Sequence, residues 1–270
     1  MLNQIRITTI KYGSISLVNL QNQLAYVWDV AGRSVMIIFF MFIFTKLWTA
    51  VYQSQSATEI AGLTLANTIW YFLIAEVMEL GKPRHDVTIS EEVKDGSIAY
   101  TMVRPYNYLG YHFANGLGEA GVRMGLVFVL GLPVVLYYAG LPTVDWRNVP
   151  AVLLVVALAM LLDFFVFSII GLLAFVTEDI FSFRLIYQKL VFILGGLMIP
   201  IDFLPDWLQR IARILPFSLT TYAPAKLFVA FDAAQFRQIV ITQLVWLLII
   251  GAVLFRQYRW ASRRLVVNGG

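Results

Sequence analysis

The sequence predicts an all-α membrane protein: six transmembrane helices, an N-terminal amphipathic helix lying in the membrane interface, and short re-entrant or interfacial helices before the last span. Three observations lead there. Hydrophobic residues make up 60% of the chain and charged residues only 13%, roughly half the charged share of a soluble domain. Apolar runs of about 20 residues, the length that crosses a hydrocarbon layer, recur six times along the 270 residues. The basic residues gather on alternate connections between those runs, as they do in a chain threaded back and forth through a membrane.

The runs fall at 34–53 (SVMIIFFMFIFTKLWTAVYQ), 60–79, 118–138, 150–176, 185–201 and 238–256. The fourth is long enough to tilt or protrude; the fifth is short and ends at Pro200. Ahead of the first run, residues 14–33 are too polar to cross. Ile15, Val18, Leu24, Tyr26 and Trp28 there form one face of a helix lying in the interface, or else of an ordinary cytoplasmic helix. The connection 202–237 is as apolar as a span yet punctuated by Pro205, Pro216 and Pro224, with Pro200 and Asp202 at its entry. Leu204, Leu208, Ile211 and Leu215 repeat at helical spacing, so DWLQRIARIL reads as an amphipathic helix. A segment this apolar is expected to dip back into the membrane edge or cap a cavity rather than float as a loop. With no internal repeat and no low-complexity tract, residues 1–270 read as one membrane domain. It comprises an interfacial N-terminus (1–33), a cytoplasmic loop (80–117), the re-entrant segment (202–237) and a basic tail (257–270).

Charge sets the orientation. With the N-terminus inside, the inner connections carry thirteen basic residues: Arg6, Lys11, Arg33, Lys82, Arg84, Lys94, Arg104, Arg184, Lys189, Arg256, Arg259, Arg263 and Arg264. The outer ones carry five: Arg147, Arg210, Arg213, Lys226 and Arg237. Both termini are therefore expected in the cytoplasm. No apolar core of 7–15 residues follows the first basic residues, so no cleaved signal peptide is expected.

Many chemistries are excluded. Without cysteine there are no disulfides, thiol nucleophiles or thiolate metal sites. His85 and His112 are too few for a metal cluster. The one Gly-Lys pair, Gly81-Lys82, precedes Pro83, so no phosphate-binding loop is present, and neither H-E-x-x-H nor G-x-S-x-G occurs. The formal charge of +4 is a membrane-side bias, with no nucleic-acid partner implied. No catalytic residue, cofactor site or metal site is expected on this chain.

The loop 80–117 carries EEVKDGSIAYTMVRP at 91–105. Thr88-Ile89-Ser90-Glu91 has capping-box spacing and Gly96 is a natural helix breaker, which predicts a short charged helix from Thr88 to about Gly96. Pro105 stops a second segment. The pattern ISEEVKDGSIAYTMVRP resembles the "I..G.l...L.rP" cytoplasmic signature of bacterial ABC-type exporter permeases of the type-2 class. Gly96, Ile98, Arg104 and Pro105 match it; Met102 or Val103 stands where the leucine is usual. GGLMIPIDFLPDWLQRIARILPFSLTTYAPAKLF at 195–228 resembles the "G...P...lP.wl......lPf......P" ending of the same family. The order and spacing of the two matches cover nearly the whole chain.

The resemblance implies a multi-pass subunit of the bacterial cytoplasmic (inner) membrane, surrounded by membrane lipid. It would work with a second copy or a related permease and with separate ABC ATPase subunits that hold the ATP and Mg. The loop would carry a coupling helix seated in the ATPase, with Glu91, Glu92, Lys94, Asp95, Gly96, Arg104 and Pro105 as its docking residues. Substrate would pass along the dimer interface. Candidate path residues are Phe39, Phe42 and Thr45 on the first span, Thr64, Asn67 and Thr68 on the second, and Gly195, Gly196 and Met198 on the fifth. The fourth span would be peripheral.

Polar residues within the spans allow other readings. Asp163 in the fourth span is expensive in hydrocarbon and either lines a path, carries a proton or is bonded for packing. An ion- or proton-coupled carrier built on Asp163 is the alternative function, but the inverted repeats such carriers use are absent. An intramembrane lipid enzyme would need a polar catalytic cluster. Glu119 and Arg123 have the spacing to pair on one helix face. Gly121 and Gly125 form a G-x-x-x-G that permits close packing. Glu76 and Glu79 lie near the inner end of the second span.

Overall fold

The computed structural model describes residues 2–142 and 144–268, with side chains from 7 to 263; Arg6 and Arg264 of the charge count lie outside the described side chains. The order is α1 (Leu2–Ala25), α2 (Val27–Ser34), α3 (Met36–Ser54), a two-stranded antiparallel hairpin β1 (Glu59–Ile60) and β2 (Leu63–Thr64), α4 (Leu65–Leu80), α5 (His85–Lys94), α6 (Ile98–Val103), α7 (Tyr108–Ala139), α8 (Val149–Leu172), α9 (Phe181–Leu194), α10 (Asp206–Ile214), α11 (Tyr222–Val229) and α12 (Ala233–Asn268).

Four stretches are long and apolar enough to cross a membrane: Val27–Ser54, Tyr108–Ala139, Trp146–Phe175 and Ala233–Arg263. Six were expected, and the other two fall on α4 and α9, which are only 16 and 14 residues long. Physical causes shorten both. The first residues of the expected second span fold into the hairpin, turned by Gly62 at φ +76°, and Thr64 caps α4 by accepting the Asn67 N–H. Tyr52 Oη on α3 donates to Leu63 O at 2.7 Å and sits 2.8 Å from Thr68 Oγ1, fixing the hairpin against α3. The α9 helix ends at Gly195–Gly196, where Gly196 has φ +75°, Tyr71 Oη donates to Gly196 O at 2.6 Å and Thr221 Oγ1 donates to Gly195 O at 2.7 Å.

The core is organised around α4. Every residue from Thr68 to Leu73 is buried, packed by α3, α7 and α11. Of the four long helices α8 is the most buried within the chain: 44% of its most apolar stretch is buried, against 17% for α12. It contacts α5, α11 and α12.

The expected interfacial helix over 14–33 is split at Tyr26 between α1 and α2, and α1 starts far earlier than residue 14. It runs alongside the first half of α7, with Ser16 Oγ donating to Ala114 O at 2.5 Å and Asn19 Nδ2 to Asn115 Oδ1 at 2.9 Å. Ile10, Leu17, Val18 and Leu24 stay exposed on its other side, the side an interfacial helix would turn to lipid. Its α7 partner begins at Tyr108, ten residues before the expected 118, capped by the Asn107 side chain. Polar His112, Asn115 and Gly110, Gly116 and Gly118 look like a loop in sequence, yet each serves a contact with α1 or α5.

The expected G-x-x-x-G does not pack helices closely. A Cβ on Gly121 would meet only Leu20 Cδ1 at 3.9 Å, and one on Gly125 nothing within 4 Å. The close approach lies one turn earlier, where a Cβ on Gly118 would sit 2.3 Å from Ser16 O and 2.8 Å from Leu20 N. Those are backbone atoms and cannot swing aside. Gly118→Ala is therefore expected to push α1 off α7, destabilising by about 1–3 kcal/mol and exposing residues 2–25 to limited proteolysis. Gly121→Ala, with room for its methyl, should leave both the melting midpoint and the digestion pattern unchanged.

Beyond α9 the chain forms the expected short pieces. A 3-10 turn at Ile201–Phe203 leads to α10, and α11 is wedged between α4 and α8 with seven of its eight residues buried. Asp202 gathers this segment. Its Oδ1 accepts from Arg213 at 2.8 Å and from Tyr222 Oη at 2.9 Å, while Lys226 Nζ lies 2.8 Å from Oδ2.

Candidate functional site

The loop between α4 and α7 is a compact pair of helices. The capping-box expectation fails: α5 starts at His85, and Thr88 lies inside it with its hydroxyl on Arg84 O at 3.3 Å. The breaker holds, since α5 ends at Lys94 and Gly96 takes φ +78°. Asp95 Oδ1 then accepts the Ser97 N–H at 2.8 Å to start the next turn.

One side of this pair is anchored by apolar contact. Ile89 and Ile98 are buried with Tyr108, Leu172, Leu254 and Ala261, so the loop is seated on the ends of α7, α8 and α12 together. Gly171 makes the seat possible: a Cβ there would lie 2.8 Å from Ile89 Cβ. The N-terminal helix ties down the loop's exit, with Lys11 Nζ donating to Pro105 O and Tyr12 Oη accepting from Asn107 N, both at 3.1 Å.

Polar anchors complete the seat. Glu92 turns inward, its Oε2 accepting from Tyr108 Oη at 2.7 Å and lying 3.2 Å from His112 Nε2. Burial pushes its carboxyl up, but the bonds from His112 and Tyr108 outweigh burial and hold it below the usual carboxylate range. His85 is packed edge-on to Phe164 and over Gly116. Burial, with a smaller effect from His112, lowers it to about 3, so it is neutral near pH 7. Asp86 is fully buried, with Arg184 Nε 3.7 Å away, and burial raises its carboxyl despite that cation.

The opposite side of the pair is free. Glu91, Lys94, Asp95, Gly96, Arg104 and Pro105 are exposed. Glu92 is not part of it, because one residue along a helix turns the side chain by about 100°. Two more residues of this loop are exposed: Tyr100 at 79%, which the sequence did not mark, and Val103 at 86%, one of the two positions where the signature has its leucine. Only the structure distinguishes the exposed Val103 from the buried Ile98.

Asp163 is held from both sides. Lys82 Nζ lies 3.0 Å from its Oδ2 and 2.7 Å from Glu79 Oε2, while Tyr187 Oη donates to Asp163 Oδ1 at 2.7 Å. The network joins the end of α4, the middle of α8 and α9, which is the packing alternative for this acid. Arg123 pairs with Glu119 at 2.7 Å as its spacing predicts and also reaches Lys82 O at 3.5 Å. Glu79 belongs to this network; Glu76 is buried.

The candidate path residues do not converge. Phe39, Phe42 and Met198 are exposed on α3 and after α9. Thr45 and Thr68 are buried inside the protomer, Thr64 and Asn67 form the α4 cap, and Gly195 and Gly196 are close-packed against Thr221, Tyr71 and Tyr222. Among the described residues no three His, Cys, Asp or Glu side chains are grouped to hold a metal ion.

Apolar helices of spanning length, a buried charged network and a polar knob at one end define a multi-pass, all-α membrane protein. The chain belongs to the ABC-2 family transporter proteins, whose sequence profile matches residues 35–269. It is thus a permease-type transport subunit of a family that associates with ABC ATPase partners. Neither a curated protein nor a solved structure matches the chain.

Proposed function

We propose that this chain is the permease subunit of an ATP-driven exporter, paired with a second copy or a related permease and driven by separate ATPases that hold ATP and Mg. The observation that carries the reading is the α5–α6 knob: a stiff element with a polar and partly apolar free side, seated by Ile89, Ile98 and Glu92 on three long helices. A push on such a knob would be transmitted to the helices because its seat is close-packed and hydrogen-bonded. Glu91, Lys94, Asp95 and Arg104 set orientation on the ATPase, while Tyr100 and Val103 supply desolvated contact.

In this reading α4 and α9 are the second and fifth crossings, the termini are cytoplasmic and the membrane is the bacterial inner membrane. The shortness of α4 is tolerable because protein surrounds it, leaving lipid little unpaired backbone to meet. The α9 helix buries only Tyr187 and Val191 and exposes Phe183, Ile186 and Ile193, which suits a face for a second permease. Phe39, Phe42 and Met198 are the path residues retained.

A pull-down in mild detergent from the native host, read by mass spectrometry, tests the reading. The wild type should recover a P-loop ATPase; a Glu91→Lys, Val103→Asp variant should recover at least roughly tenfold less with an unchanged melting midpoint, because both positions are exposed. Recovery of no ATPase by the wild type, or equal recovery by the variant, rejects the docking face.

A further inference from the structure

Two hollows adjoin where α2, α4, α7 and α9 come together at one end of the helices. The larger, about 500 Å³, lies between Tyr26, Arg33, Arg84 and Arg123. The smaller, about 270 Å³, lies between Lys82, Arg84, Asp86, Arg123 and Arg184. Leu80, Arg84 and Arg123 line both, so they form one continuous recess.

Its walls carry five cations, Arg33, Lys82, Arg84, Arg123 and Arg184, against three acids, Asp29, Glu79 and Asp86. Three of the cations are committed: Arg33 to Asp29 at 2.9 Å, Lys82 to Glu79 and Asp163, and Arg123 to Glu119. Arg184 is only loosely matched, 3.7 Å from Asp86, beyond hydrogen-bonding distance. Arg84, at the junction, forms no ion pair among the described residues. The recess therefore holds two guanidinium groups, Arg84 and Arg184, whose donors are not taken up by a carboxylate hydrogen bond, with the single acid Asp86 near them.

The residues around the recess are of the kinds that suit a membrane boundary. The recess opens beside the break at Tyr26, where Tyr26 and Trp28 are 72% and 86% exposed, the ring types that settle at headgroup depth. Leu80, the last residue of α4, and Val30 give it an apolar wall. Basic pockets between helices at this depth suit anionic lipid headgroups, and a guanidinium fork matches two phosphate oxygens at once.

We propose that this recess binds the phosphate of an anionic membrane lipid, with Arg84 and Arg184 as its principal ligands and Tyr26 at the glycerol level. The site does not depend on ATPase coupling. It can be tested on the purified full chain in nanodiscs of phosphatidylcholine, to which phosphatidylglycerol is added at rising mole fraction and retention is read by native mass spectrometry. The wild type should retain phosphatidylglycerol selectively. Arg84→Gln should weaken retention roughly tenfold, and Arg84→Gln with Arg184→Gln further. Arg84→Lys, keeping charge without the fork, should fall between. Arg237→Gln, distant from the recess, serves as the control and should match wild type. Retention unchanged in the double variant, or lost equally in Arg237→Gln, overturns the site. If inorganic phosphate at millimolar concentration displaces the lipid from the wild type, the phosphate chemistry stands but the lipid assignment is overturned.

Discussion

Lys82→Met alone is expected to destabilise the protein by about 3–5 kcal/mol, because it leaves Asp163 buried without its counter-charge. Only Tyr187 would remain on that carboxylate, and a single hydroxyl does not replace an ammonium at 3.0 Å. Asp163→Leu alone should cost a similar amount for the mirror reason, moderated by Glu79, which still holds Lys82 at 2.7 Å. The double change, Lys82→Met with Asp163→Leu, should recover much of the loss, since replacing a buried ion pair by apolar residues of similar volume is often neutral or favourable. Unfolding titrations from detergent micelles, followed by tryptophan fluorescence, give the four corners of the cycle. If the double variant loses the sum of the two single losses, the residues do not interact as a pair. If it regains stability but loses transport, the acid has a role in the path beyond packing, and the carrier reading returns.

Asp202 is the second position where one substitution should have a large effect. Asp202→Leu removes the acceptor for Arg213, Tyr222 and Lys226 at once. The lysine is the critical loss: its side chain is only 9% exposed and no other carboxylate pairs with it among the described residues. A loss of about 3–5 kcal/mol follows, with α10 released from α11. Lys226→Met should cost less, because Asp202 keeps Arg213 and Tyr222. Asp202→Asn should fall between, since it retains an acceptor for Tyr222. The order Leu worst, Asn intermediate, Lys226→Met mildest is the measurable outcome; equal losses for all three would mean the cluster is not a hub.

Much of this architecture was legible in residue chemistry. The long apolar runs mark α3, α7, α8 and α12, and prolines with helical spacing mark α10. Where the reading went astray, the determinant was a partner distant in sequence. Residues 108–118 look polar and glycine-rich because Gly116 and Gly118 make room for His85 and α1, and composition cannot separate that from a loop. Lys82 was counted only as a positive charge, because nothing local says that a lysine after α4 meets an acid 81 positions on. Thr88 has the spacing of a cap, but seating Ile89 on Gly171 extends α5 back to His85, and tertiary contact overrides the local signal. Glu91 and Glu92 are indistinguishable in sequence; a third of a turn sends one outward and the other to Tyr108.

The length of α7 has a mechanical consequence. At 32 residues it is about 48 Å long, and it is gripped at one end by α1 and the α5–α6 knob and near the other by α4, where Leu73 approaches Gly131. A rod of that length that tilts by about 5° about one end sweeps its other end through about 4 Å. Pro133, seven residues before Gly140, removes one rung of the hydrogen-bond ladder near that far end. Under the proposed coupling, a small tilt imposed at the knob would be carried along this shaft to an end about 48 Å away.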